Sequence, residues 1–338
     1  VDSQKNLTLA VDRLANRNNG VLTGKTGLSL TGARLDNSGG SLFSLQNVDL
    51  GLSGDVLNNL GLLSSEGRLS VRSGSLTNDG GSLSSAGALS IDSSGAVSSR
   101  GGKLITDGSL TLNSASLDNS QNGSISGKSA VSIHTGDFDN SHDGRVTSAD
   151  SLELSAAHLS NHTGGSIGSN KVLTASVSGL DQQGGTLFSN ASLTLDMNRG
   201  QLNNQNGLIN APGALLLKNL AGVNNQNGEI SSTRGFEFNA DSLDNSDGKL
   251  LSNQALIVRV AQALTNVNGM IAAASLNARS GTLDNSAGTL TSRGDLTLDV
   301  DGLLNNGNDG LINAAQTLNL QATGINNVGG TLLGATAL

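Results

Sequence analysis

The sequence predicts an all-β chain wound as a right-handed parallel β-helix, a solenoid of about sixteen coils with about 21 residues in each. Three observations predict it. One unit recurs from near residue 7 to the last residue, apolar residues alternate inside each unit, and Gly, Asn, Asp and Ser fill the stretches between. The unit is plainest in Leu35-Asp36-Asn37-Ser38-Gly39-Gly40-Ser41-Leu42-Phe43-Ser44, followed by Val48 and Leu50. It returns as Leu76-Thr77-Asn78-Asp79-Gly80-Gly81-Ser82-Leu83, followed by Leu89 and Ile91, and again from Leu283.

Counted from the apolar residue two before the asparagine, copies start at Leu14, Leu35, Val56, Leu76, Val97, Leu117, Phe138, Leu159, Leu180, Leu202, Val223, Leu243, Leu264, Leu283, Leu304 and Ile325. Their intervals run from 19 to 22 residues and average about 20.7. Pairs such as Leu69 and Val71, or Leu193 and Leu195, have the two-residue period of a strand with one buried face. The residues between them are turn formers. Short strands at this spacing also suit a sandwich or an antiparallel barrel. The constant period argues against both, because each position meets its own copy one coil later. Coils about 4.8 Å apart would give a rod on the order of 75 Å long. The hand follows from the strong right-handed preference of parallel crossovers.

A solenoid grows in length rather than in core thickness, so residues 1–338 read as a single repeat array without a linker. Charged residues are only 14 % and the aliphatics keep register, which argues for a folded array and not a disordered tract. The net charge of −8 disfavours nucleic acid and anionic membrane as partners. No apolar run has the length of a membrane-spanning helix, so no membrane insertion by this segment is expected. Without cysteine there are no disulfides and no thiolate metal sites. The chain lacks an initiator Met and a signal segment, and its last copy stops in mid-coil at Leu338. It therefore reads as a piece excised from a longer array.

Each position of the unit has its own logic. A glycine precedes the buried aliphatic in every copy, as in Gly40, Gly61, Gly81 and Gly207, which requires either a left-handed backbone or close backbone approach. Two residues past that aliphatic stands a small residue (Ser65, Thr106, Ala211, Ser232, Gly334), expected to face inward at a tight corner. The asparagine position holds Asn16, Asn37, Asn58, Asn78, Asn119, Asn140, Asn161, Asn204, Asn225, Asn245, Asn266, Asn285, Asn306 and Asn327, with Ser99 and Gln182 as exceptions. A buried amide needs partners for both its NH₂ and its C=O. Stacked asparagines can supply them to one another, so a structural ladder is expected. The copies from Leu14, Leu117, Phe138, Leu159 and Leu304 carry one extra residue before the glycine, which predicts an outward bulge. The copy from Leu264 is one residue short before Leu276. Phe236 and Phe238 fill both inward positions of one strand.

Residues able to carry chemistry are sparse. His134, His142, His158 and His162 fall in two neighbouring coils, and His142 and His162 share one outer turn, close enough to hold a metal. Only Asp143 offers itself as a third ligand, so no metal site is predicted. Asp follows the anchor at Asp36, Asp118, Asp139, Asp181, Asp244 and Asp284; only Asp118 and Asp139 are in adjacent copies, with no Arg or Lys focused on them. Paired carboxylates could serve a glycosidase, but acidic residues outside a solenoid mostly solubilise. Arg293-Gly294-Asp295 spells the tripeptide recognised by integrins, although its glycine occupies the turn held elsewhere by Gly87 and Gly108. Outward apolar residues (Phe43, Ile105, Phe188, Leu251) are several coils apart. No phosphate loop, nucleophile elbow or zinc-protease helix is present. No catalytic residue and no cofactor are expected, and the chain is not read as an enzyme.

The Leu-x-Asn-x-x-Gly-x-[Ile/Leu] unit with its Leu-x-Leu pair resembles the repeats of the filamentous haemagglutinin family. Leu202-Asn203-Asn204-Gln205-Asn206-Gly207-Leu208-Ile209 with Leu215 and Leu217 shows it, as does Val223-Asn224-Asn225-Gln226-Asn227-Gly228-Glu229-Ile230. The resemblance implies a large exoprotein of Gram-negative bacteria, exported through a two-partner secretion transporter of the outer membrane and retained outside the cell. It implies a protein attached to the outer membrane, an adhesin or a contact-dependent growth inhibition effector, whose shaft holds a receptor-binding or toxin region that meets a receptor on a target bacterium or host cell. The family's secretion-recognition domain and toxin are missing from this stretch. An adhesive module along the rod and a polysaccharide-degrading β-helix enzyme are the alternatives.

Overall fold

The computed structural model describes residues 1–335, and among them every regular element is a β-strand. The chain is a parallel β-solenoid of about sixteen turns. Its contacts divide it into two compact units, Val1–Lys171 and Val172–Leu338.

A coil of the first unit consists of three short strands, as in Ser41–Ser44, Val48–Leu52 and Asp55–Leu57. Each pairs in parallel with its copy about 21 residues away, without slippage. Leu42, Leu63, Leu83, Leu104, Ile125, Val146 and Ile167 form one inward column. Leu35, Val56, Leu76, Val97, Leu117, Phe138 and Leu159 form another. All are buried. A one-residue slip would turn every one of these side chains outward, so burial of a single face fixes the register.

In the second unit Ile209, Ile230, Leu250, Ile271, Leu290 and Ile312 repeat the first column. Later coils merge two strands into one, as in Ala255–Thr265, Ser275–Asp284 and Leu296–Asn305, and take the corner as a bulge.

The turn after the asparagine explains the repeat's length variation. Copies with two residues between asparagine and glycine hold one in the left-handed region, such as Leu60 (φ 53°), Asn206 (φ 54°) or Ala287 (φ 54°). Copies with three hold two in succession: Asn18 and Asn19, Gln121 and Asn122, His142 and Asp143, Thr163 and Gly164, Asn308 and Asp309. The extra residue is absorbed in the turn, and the following strand keeps its place.

The invariant glycine is not left-handed; close approach is its reason. A Cβ on Gly81 would lie 2.1 Å from the Asn58 carbonyl oxygen of the preceding coil and 2.7 Å from Asn78 Oδ1. The small corner residues Ser65, Thr106, Ala211 and Ser232 are buried, while Gly334 is exposed in the last described coil. Size is only part of their role. Ser65 Oγ donates its proton to the Gln46 carbonyl at 2.6 Å, with the Arg68 carbonyl at 3.1 Å beside it, and accepts the Gly67 N–H at 3.1 Å, so the hydroxyl ties the corner to the coil before it.

Candidate functional site

The asparagine side chains face the interior. In the first unit Asn16 Nδ2 donates to Asn37 Oδ1, Asn37 to Asn58 and Asn58 to Asn78, at 2.7, 2.7 and 2.8 Å. Asn78 then reaches Ser99 Oγ at 3.0 Å. Asn119, Asn140 and Asn161 form a second run at 2.8 and 2.7 Å. In the second unit the run passes from Asn204 through Asn225, Asn245, Asn266, Asn285 and Asn306 to Asn327, every step between 2.6 and 2.7 Å. From Asn16 to Asn140 and from Asn204 to Asn306 each asparagine Nδ2 also meets two carbonyls, as Asn58 does with Gly61 and Ser82.

The exceptions to asparagine have a visible cost. Ser99 is too short to serve Asn119, and Gln182 turns its Nε2 to the Leu208 carbonyl at 2.9 Å. The acceptors that follow, Asn119 Oδ1 and Asn204 Oδ1, are buried without a hydrogen-bond partner.

The carboxylates after the anchor cap turns. Asp36, Asp118, Asp139, Asp181, Asp244 and Asp284 each accept the N–H two residues ahead, between 2.9 and 3.2 Å. Asn203, Asn224, Asn305 and Asn326 do the same in their copies. This is the Asx turn, and the sequence reading of these residues as solubilising exterior missed it. A second correction concerns Asp118. Arg100 stands within 3.7 Å of it while binding Asp79 through Nη2 at 2.7 Å, because coil stacking brings residue 100 between positions 79 and 118. Burial pushes the Asp79 carboxyl upward, but hydrogen bonds from Arg100, Ser98 and the Arg100 N–H outweigh it and hold Asp79 below the usual range.

His142 and His162 stack edge to face with ring centroids 5.4 Å apart. Their Nδ1 atoms face Ser141 Oγ and Thr163 Oγ1, each at 2.8 Å. His158 pairs with Asp137 at 3.0 Å, and His134 is exposed. Among the described residues no group of three or more His, Asp or Glu is placed to hold a metal ion.

The tripeptide at 293–295 is engaged on both sides. The Arg293 guanidinium donates to the Asn253 carbonyl and Asp295 Oδ1 accepts the Thr317 N–H at 3.1 Å. Ser292 Oγ closes the turn on the Asp295 carbonyl at 2.8 Å.

One feature of the second unit has no counterpart in the sequence reading. A cavity of about 590 Å³ opens on its side, lined by Leu216, Lys218, Glu237, Asn239 and Arg259 among others. Arg259 and Glu237 form an ion pair across adjacent coils.

The columns, corners and caps occur at the period of a known repeat. A family model described as haemagglutinin repeat matches residues 2–51, 46–101, 96–156, 237–307 and 291–338. Searches of curated proteins and of solved structures each returned no match. With well over half of its length matched, the chain belongs to the haemagglutinin repeat family.

Proposed function

We propose that this chain is a segment of the extracellular shaft of a secreted bacterial exoprotein, an adhesin or a contact-dependent growth inhibition effector. The shaft holds a receptor-binding or toxin-bearing region away from the cell surface. Export through an outer-membrane two-partner secretion transporter, and contact with a receptor on a neighbouring bacterium or host cell, belong to the parent protein. The carrying observation is where the polar side chains go. The asparagines bind one another, the aspartates after the anchor cap their own turns, and arginines such as Arg68 and Arg100 bind the coil before them. We read the asparagine columns as structural and assign no catalytic residue.

Deleting residues 62–81 removes one coil and joins Gly61 to Ser82 in register. A spacer should keep its β-type circular dichroism spectrum and unfold as cooperatively as the parent chain. Loss of the spectrum would sink the reading.

The charged cavity beside Leu216 favours a second reading, adhesion along the solenoid's side. A glycan array and a polysaccharide-cleavage assay separate the alternatives. Silence in both supports the spacer, retention on the array supports adhesion, and bond cleavage would revive the enzyme.

A further inference from the structure

We propose that the second unit contains a one-sided joint. Two faces of the solenoid are zipped between the coils carrying Leu215–Lys218 and Phe236–Ala240, and the third is open.

Leu215–Lys218 pairs with Leu193–Asp196 before it, and Phe236–Ala240 pairs with Ala255–Thr265 after it. Between the two strands themselves there is no ladder among the described residues, and the Leu215 N–H does not reach the Gly235 carbonyl as the Leu193 N–H reaches that of Ala214. In a parallel ladder alternate residues direct both N–H and C=O to the same neighbour. Leu193 N–H reaches the Ala214 carbonyl at 2.9 Å and Met197 N–H the Lys218 carbonyl at 3.0 Å. Positions 214, 216 and 218 therefore face backward, and Leu215 and Leu217 face the next coil. Their natural counterparts there are Gly235, Glu237 and Asn239, and those bonds are unmade.

The other faces hold. Leu208–Ala211 pairs with Glu229–Ser232, and Gly222–Asn224 pairs with Ser242–Asp244. Asn204 is bonded to Asn225, and Asn225 to Asn245, at 2.7 Å each. These form a spine. The split closes again where Asp241 N–H meets the Ala221 carbonyl at 3.0 Å.

Local structure accounts for the opening. The N–H of Thr233, at the corner leading into Phe236–Ala240, does not reach the Ala211 carbonyl. Other coils give that bond at the same corner, as Glu66 does to Ser44 and Asn253 to Ser232. The left-handed Asn219 (φ 53°) then ends the strand early, and the buried Leu220 turns back into the core. The mouth of the split is the 590 Å³ cavity, where water can serve the unpaired backbone groups. Widening the mouth breaks no backbone bond on that face, so flexing about the spine is the softest motion of this unit. The proposal stands whether or not the chain is a shaft.

Hydrogen exchange on the whole chain tests it. The amides of Leu215, Leu217, Glu237 and Asn239 should exchange at least about 100-fold faster than those of Leu195, Phe236 and Phe238. Equal protection would overturn the split. Nitroxide labels test the motion. The pair L216C/E237C spans the split and should give a broad distance distribution, while T194C/L216C spans a paired ladder and should give a narrow one. Equal widths would overturn the joint even if the amides exchange fast.

Discussion

Asn37 and Asn58 stand one coil apart and are joined side chain to side chain, Asn37 Nδ2 donating to Asn58 Oδ1 at 2.7 Å with both residues wholly buried. Asn58 in turn donates to Asn78, so each amide is acceptor to one neighbour and donor to the next. In a dry interior such a chain is favourable only while every member is satisfied. Replacing Asn58 by Ala takes one acceptor from Asn37, whose Nδ2 keeps the Gly40 and Leu62 carbonyls, and leaves Asn78 Oδ1 without its donor. Asn58→Ala should cost about 2–3 kcal/mol in urea unfolding. Asn58→Ser should cost less, since Ser99 already accepts from Asn78 at this position. Equal losses would mean that side-chain volume, not hydrogen bonding, governs the column.

The converse change should stabilise. Asn119 Oδ1 is buried without a partner one coil after Ser99. An asparagine at position 99 could receive from Asn78 and donate to Asn119. Ser99→Asn is expected to add about 1 kcal/mol, the usual net worth of one buried hydrogen bond. A lower urea midpoint for S99N would show that the corner has no room for the longer side chain.

Two glycines separate steric from conformational demand. At Gly81 an added methyl would sit 2.1 Å from the Asn58 carbonyl oxygen, which is backbone and cannot yield without parting the coils. Gly81→Ala should cost about 3 kcal/mol or more. Gly184 is left-handed (φ 67°), yet an added Cβ there meets nothing within 4 Å. Gly184→Ala should cost only the left-handed penalty of about 1–2 kcal/mol. Gly184→Asn should cost less again, since Asn206 and Asn227 adopt this conformation at the equivalent turn. Thermal unfolding of the three variants should rank them in that order.

Arg293 and Asp295 are spent on other coils, one on the Asn253 carbonyl two coils back and the other on the Thr317 N–H of the next coil. Ligation by an integrin would require both to let go. Asp295→Glu should leave the adhesion of integrin-bearing cells to immobilised protein at the wild-type level. A drop in adhesion with an unchanged melting temperature would show that the tripeptide is used.

The buried pattern was legible because it is local: the alternation of Leu69 and Val71 places both inward without knowledge of any other coil. The invariant glycine was legible only as a choice between two causes, since a left-handed turn and a close backbone contact select the same residue. The capping work of Asp118 and Asp244 was missed because an outward carboxylate two residues before a turn N–H looks like any solvated charge. Arg100 was missed for a related reason. Its partners lie one coil back and one coil on, and sequence distance hides that adjacency until the coils are stacked. The split beside Leu215 depends on hydrogen bonds that are absent, and a bond that is not made leaves no residue type to read.

Stability toward acid follows from the carboxylates held below the ordinary range. Burial works against ionisation at Asp79 and Asp36, but hydrogen bonds and nearby arginines prevail: Arg100 and Ser98 at Asp79, Ser38 and Arg17 at Asp36. At Asp196 the Asn219 amide and the Asn198 N–H are the leading causes. A carboxylate whose folded pKa lies below its unfolded value of about 3.9 contributes stability at higher pH and loses it as pH falls through the folded value. The chain should therefore unfold at a constant urea midpoint from pH 7 down to about 4 and at lower midpoints below that. The Asp79–Arg100 contribution should stay under about 1 kcal/mol, because solvent screens the exposed guanidinium. Arg100→Ala removes the main counterweight to burial, so the Asp79 carboxyl resonance should titrate at higher pH than in the parent chain. An unmoved Asp79 titration would mean that Ser98 and the backbone N–H at position 100 hold the carboxylate, and that coil-to-coil charge pairing contributes nothing there.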